Sequence, residues 1–238
     1  MFNFEETTKS ILNYFPKVVS IIVYGSVADD SYVENSSDVD LLIVGKKEND
    51  TQEKLVELQK ELGEKYDIHF ITPENLSANF VSICPDREYI YHGLDIYRLK
   101  NQNKVIYGDS GILKNIPDIS FEEALSDILP YVKDKMIPQL KSQLEESQDL
   151  NDFILKESGL LLVVARTVYS VKTHKMGSKI VALEYLKEEY PLFSDVADSL
   201  REAYLKRKSS VSVKKEDIKK LLEEADMLFE SGLASIPK

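Results

Sequence analysis

Ile22-Val23-Tyr24-Gly25-Ser26, followed after eleven residues by Asp38-Val39-Asp40-Leu41-Leu42-Ile43-Val44, is the stretch on which the fold turns. The β-branched run from Lys17 to Tyr24, bounded by Pro16 and Gly25, predicts a buried strand. Asp38 to Val44 predicts a second. Strand side chains alternate, so Asp38 and Asp40 share a face. Aspartate is disfavoured in strands, and two carboxylates that close repel unless a cation lies between them. A hard divalent ion such as Mg²⁺ suits the pair, with phosphate oxygens completing its shell. Gly25 allows a phosphate to approach the backbone. Ser26 and Ser37 can add hydroxyl or N–H donors, as a phosphate-binding turn requires.

Around this motif the first part of the chain alternates strands and helices. A helix is predicted over 4–15 and another over 50–66, the latter opened by a capping box between Asp50 and Glu53. Tyr66 to Thr72 is a third strand, stopped by Pro73. Within it Asp67 is a lone acid in an apolar run that could lie beside the Asp38 strand, as a third metal ligand or a general base. Glu88 is the fallback for that role. His69 shares the face of Asp67 and reads as structural. Residues 95–99 and 104–107 read as a hairpin around Asn101-Gln102-Asn103. Residues 109–120, with Gly111 and Pro117, read as a linker.

The second part reads as helix almost throughout: 121–146, 152–173, 178–190, 193–208 and 213–231, with Ser178, Ser194 and Ser212 as N-caps. Leu160 to Ala165 is apolar nearly all round, which places that helix at the centre of a bundle. The fold expected is an α/β domain with a mixed β-sheet over 1–112, followed by an all-α helical domain over 113–238.

The 238 residues carry 41 acidic and 30 basic side chains, a net charge of -11. Such a chain lacks the basic face with which proteins grip nucleic acid, so no nucleic-acid partner is expected. The charge equally disfavours a polybasic membrane anchor. The longest apolar run, Gly159 to Ala165, is too short to span a bilayer, and the acidic start lacks a signal pattern. With Cys84 the only cysteine, no intrachain disulfide forms, and a cytoplasmic protein is expected. Three scattered histidines argue against structural zinc.

The strand, Gly25-Ser26 and Asp38-x-Asp40 resemble the signature of the nucleotidyltransferase superfamily that includes polymerase β and the aminoglycoside nucleotidyltransferases. The likeness extends to the second half. There Ala165-Arg166-Thr167-Val168-Tyr169-Ser170, followed by Gly177-Ser178-Lys179, is similar to the streptomycin and spectinomycin adenylyltransferases. The resemblance implies that Asp38 and Asp40 hold Mg²⁺, that Arg166 and Lys179 contact ATP phosphates, and that Asp67 stands where the family has its catalytic Glu. It implies AMP transfer from ATP to a hydroxyl of a small molecule. The chain departs from the family in having no tryptophan, which the family uses near its antibiotic pocket, so the acceptor is left open. Read without the family, Arg166 sits among apolar residues and needs an anion, either triphosphate or an internal acid such as Glu157 or Asp127. Lys179 opens a helix, where the dipole favours anions, or is simply an exposed first-turn lysine. Two other classes stay open: an enzyme that adenylylates a protein, and a nucleotide-binding module without catalysis.

Overall fold

The computed structural model describes residues 3–29, 31–34, 36–205 and 213–235. The chain divides into two compact units, Met1–Ser120 and Phe121–Lys238.

The first unit is built on a six-stranded sheet. Its elements are helix α1 (Phe4–Tyr14), strands β1 (Val18–Tyr24) and β2 (Val39–Gly45), helix α2 (Thr51–Leu62), strand β3 (Tyr66–Ile71), helix α3 (Pro73–Ser77), strands β4 (Val81–Ile83) and β5 (Glu88–Ile90), helix α4 (Gly93–Asn101) and strand β6 (Asn103–Gly108). The strand order is β5-β4-β3-β2-β1-β6. The β2–β3 pair is parallel, because α2 carries the chain back across the sheet, and the other pairs are antiparallel. Each face of the sheet buries its own apolar layer. On one, Ile21, Val23, Leu41, Ile43, Ile68 and Phe70 pack with Ile11 of α1 and Leu55 and Leu58 of α2. On the other, Ile22, Leu42, Val44 and Ile71 pack with Leu76, Tyr91 and Leu99. The alternation of in and out along each strand is what predicts these elements from sequence.

Four expectations are corrected. The second helix ends at Leu62 rather than Tyr66, because Gly63 takes a positive φ of 86° and turns the chain into β3. Asp50 makes no side-chain cap, its carboxylate lying 3.1 Å from Lys54 Nζ instead. Residues 95–99 form helix, not strand. The side chain of His92 and that of Asp95 cap each other's backbone and start α4, so only β6 of the expected hairpin exists, paired with β1. The expected linker is part of the first unit: residues Ser110–Asn115 make a short 3₁₀ helix, and Ile112 and Ile116 are buried in the sheet's second layer.

The second unit contains α5 (Phe121–Tyr131), α6 (Ile137–Glu146), α7 (Leu150–Thr173), α8 (Lys179–Glu189), α9 (Ser194–Tyr204) and α10 (Lys215–Ser235). A wider π turn over Val132–Met136 joins α5 to α6. Pro138 lacks the N–H that would continue an ordinary helical ladder there. Helix α7 packs against α5, α6, α8, α9 and α10, as its apolar centre predicts. Ser178 caps α8 by accepting from the Val181 N–H at 3.2 Å. Ser194 is not a cap but the first residue of α9, because a 3₁₀ turn over Pro191–Phe193 runs directly into that helix. The expected cap Ser212 lies outside the described residues. No helix among the described residues is long and apolar enough to cross a membrane.

Candidate active site

The acidic residues of the first unit are placed by strand register. Tyr24 pairs with Asp40 across β1 and β2, and Asp40 pairs with Asp67 across the parallel β2 and β3. Directly opposed residues present their side chains on the same face, about 5 Å apart at the Cβ atoms. Asp38 precedes β2 and is exposed, on the face of Asp40 by alternation. Glu88 lies on the edge strand β5, exposed and two strands removed from β2, so it does not join them.

Gly25 closes the group from β1. Its φ is +71°, and a Cβ there would collide with Asp40 Oδ2 and come within 3.2 Å of Arg98 Nη2. The glycine therefore serves two needs, the left-handed backbone and the seat of a carboxylate. Ser26 follows in a 3₁₀ turn over Gly25–Val27 and is half-buried. Ser37 is buried, and its Oγ accepts from the Val33 N–H at 3.0 Å, so it shapes the loop before Asp38.

Two residues of this site carried no strong sequence signal. Arg98, on α4, brings its guanidinium beside Gly25, with a buried Nε that has no hydrogen-bond partner. His69 lies 3.3 Å from Asp67 Oδ1 through Nε2. Its Nδ1 is 2.9 Å from Ser82 Oγ and 3.5 Å from Cys84 Sγ. Burial pushes the Asp67 carboxyl up, but the hydrogen bond and charge of His69, with Arg87 beyond, outweigh it and hold the group below its ordinary range. For His69, burial works against the charged ring. The hydrogen bonds to Asp67 and Cys84 and the Asp67 charge prevail and raise it to about 9. Only the shared strand face of residues 67 and 69 pointed to this pair.

An oxygen-rich pair such as Asp40 and Asp67 is the donor set of a hard divalent ion. Among the described residues no group of three His, Cys, Asp or Glu side chains converges to hold an ion alone. Two carboxylates fit Mg²⁺, which keeps waters and takes further ligands from substrate phosphates.

In the second unit, Arg166 of α7 donates from Nε to the Gly177 carbonyl at 3.1 Å, so this side chain ties α7 to the turn that opens α8. A Cβ at Gly177 would come within 2.6 Å of Tyr169 Cε1, so the turn lies flat on that ring. Lys179, first in α8, holds its Nζ 4.9 Å from the centre of the Tyr204 ring, a cation–π contact. The Arg166, Gly177 and Lys179 of the sequence motif are thus neighbours in space.

Residues 5–92 match the family model of the nucleotidyltransferase domain. Comparison with curated protein sequences finds no match. Among solved structures, the chain is similar to spectinomycin adenyltransferase AAD(9) from Enterococcus faecialis, solved with ATP and spectinomycin. The TM-score is 0.65 at 17% identity, over 95% of this chain and 98% of that one. A toxin–antitoxin structure with AMP-PNP gives a TM-score of 0.34 at 14% identity, over 61% of this chain and 98% of that one. The STING-associated CdnE c-di-GMP synthase from Capnocytophaga granulosa gives 0.25 at 16% identity, over 97% and 80%. The first of these shares the fold, and residues 5–92, which carry the paired acids and the positive-φ glycine, are similar to a nucleotidyltransferase domain.

Proposed function

We propose that the chain moves AMP from ATP to a hydroxyl group of a small molecule and releases pyrophosphate. The observation that carries this reading is the pairing of Asp40 with Asp67 on adjacent strands beside Gly25. Asp38, Asp40 and Asp67 would hold one or two Mg²⁺ ions. When bound, the metal neutralises the triphosphate and polarises the reacting phosphoryl group. The backbone at Gly25 and the donors of Ser26 receive the triphosphate, with Ser37 shaping the loop beside them. Asp67 takes the proton of the acceptor hydroxyl as its oxygen attacks the α-phosphorus. The bond to the β-phosphate oxygen breaks, and the leaving pyrophosphate carries charge that Arg166 and Lys179 are suited to bind. Catalysis on this reading is mainly positioning and charge neutralisation. The net charge of -11 favours a cationic acceptor, which puts aminoglycoside and aminocyclitol antibiotics first. The lone cysteine suits a cytoplasmic setting.

The test is transfer of label from α-labelled ATP with Mg²⁺ and a panel of antibiotics, beginning with spectinomycin and streptomycin. Labelled product and pyrophosphate are expected in equal amounts. Asp67→Asn should lower turnover on the order of 10²–10⁴-fold while ATP still binds. Silence with every small molecule, alongside labelling of a protein, would move the acceptor to that class. Nucleotide binding with no transfer to any acceptor would leave only a binding module.

A further inference from the structure

The contacts of Asp67 extend inward through a chain of buried groups. His69 is two residues along β3 on the same face, and its side chain is 3% exposed while that of Asp67 is 47% exposed. A carboxylate only accepts, so the 3.3 Å contact is a donation from His69 Nε2 to Asp67 Oδ1. The other ring nitrogen meets Ser82 Oγ at 2.9 Å, and Ser82 is fully buried on β4. The rings of Tyr89 and Tyr91 stand edge-on to the imidazole, with centres at 5.1 and 5.4 Å. Tyr89 is itself fixed: it is the register partner of Ser82, and its hydroxyl donates to Asp95 Oδ2 at 3.0 Å. Asp95 also accepts from the His92 N–H at the start of α4. The imidazole is therefore held by a strand, a hydroxyl and two rings before it touches Asp67.

An aspartate at the mouth of a strand has two free side-chain torsions, and a site for an ion needs one of their combinations. We propose that His69 is a positioning residue that pins Asp67 Oδ1 and so turns the carboxylate toward Asp40, where the two face a shared divalent ion. This rests on the nucleotidyl-transfer reading above. It assigns the β4–β5–α4 corner a purpose: it is the buttress that fixes the angle of one acid. The arrangement is the carboxylate–histidine pairing of metal sites turned round, with the carboxylate as ligand and the histidine behind it.

Two substitutions separate positioning from packing. In His69→Gln the amide nitrogen falls near the place of Nε2 and keeps the donor to Asp67. In His69→Asn it falls near the place of Nδ1 and keeps only the donor to Ser82. The probe is Mn²⁺ with a non-hydrolysable ATP analogue, titrated by electron paramagnetic resonance, which needs no acceptor. Mn²⁺ affinity should stay within about threefold of wild type in His69→Gln and fall roughly 10–100-fold in His69→Asn, the usual range for an outer partner of a metal ligand. Ser82→Ala loosens the ring without touching Asp67 and should weaken Mn²⁺ binding in the same direction by about two- to fivefold, which keeps the test decisive should His69→Asn not fold. Equal affinity in all variants would overturn the inference, as would an equal loss in Gln and Asn variants with a shared fall in melting temperature. Wild-type protein that takes up no Mn²⁺ with nucleotide would overturn the nucleotidyl-transfer reading and this inference with it.

Discussion

The two units carry their charged residues in different ways. In the first, Asp40 and Asp67 are held opposite one another by the ladder of β2 and β3, whose register the buried apolar residues of both strands set without help from either acid. In the second, Arg166 is itself a structural bond, because its Nε closes the turn at Gly177. On the proposed function, the acids of the first unit would act without holding the fold, whereas Arg166 of the second would do both.

The sharpest way to break that contrast is at Asp40. Asp40→Asn keeps the shape of the strand, so AMP transfer should fall at least about 10²-fold with the melting temperature unchanged or raised. A large loss of stability instead would place Asp40 with Arg166 among the residues that hold the fold. Gly25→Ala should be the most damaging change to the first unit. It puts a side chain at a φ of +71° and into the Asp40 carboxylate, and should cost about 2–3 kcal/mol in urea unfolding as well as activity. Arg166→Ala should cost about 1–2 kcal/mol through the lost bond to Gly177, together with about tenfold in ATP affinity. If calorimetry shows ATP affinity falling without any change in unfolding, the joining of roles in the second unit is wrong. Lys179→Met gives the mildest effect on folding, about 0.5 kcal/mol from the lost contact with Tyr204, while ATP affinity falls about as it does for Arg166→Ala.

The last expectation concerns pH in the metal-free protein. Asp67 lies below its ordinary 3.8 and His69 is raised from 6.5 to about 9. The unfolded state binds the His69 proton less tightly, so that contribution is complete below about pH 6.5 and fades as pH rises through about 9. The Asp67 contribution is complete above 3.8 and fades as pH falls through its lowered value. Melting temperatures of wild type and His69→Gln should therefore differ most between those limits and converge in alkali.

How far the sequence disclosed this molecule varies with how local each cause is. Strands β1 to β3 were legible because alternation and the Gly25, Asp38 and Asp40 spacing are local patterns. Helix α4 was not. Its Asp95-Ile96-Tyr97 start looks strand-like, and the structure begins it with a His92–Asp95 exchange of caps that a search for Ser or Asp caps passes over. Ile112 and Ile116 read as linker because nothing nearby in sequence shows the layer that buries them. Arg98 reaches Gly25 only through the packing of α4, and no spacing announces it. The pairing of Arg166 with Gly177 was visible as a motif, but its bond is to a backbone carbonyl, which no residue type reveals.

The parallel pairing of β2 with β3 also bears on how such a chain can change over generations. Between Gly45 and Thr51 the chain can gain or lose residues in the exposed stretch 46–50 without moving either acid, since the strand pairing sets who faces whom. A single deletion inside β3 has the opposite effect. The strand would slip by one, Ile68 would rise to face Asp40, and both Asp67 and His69 would be carried to the side occupied by Leu55 and Leu58. Length is thus free in the crossover and forbidden in the strand.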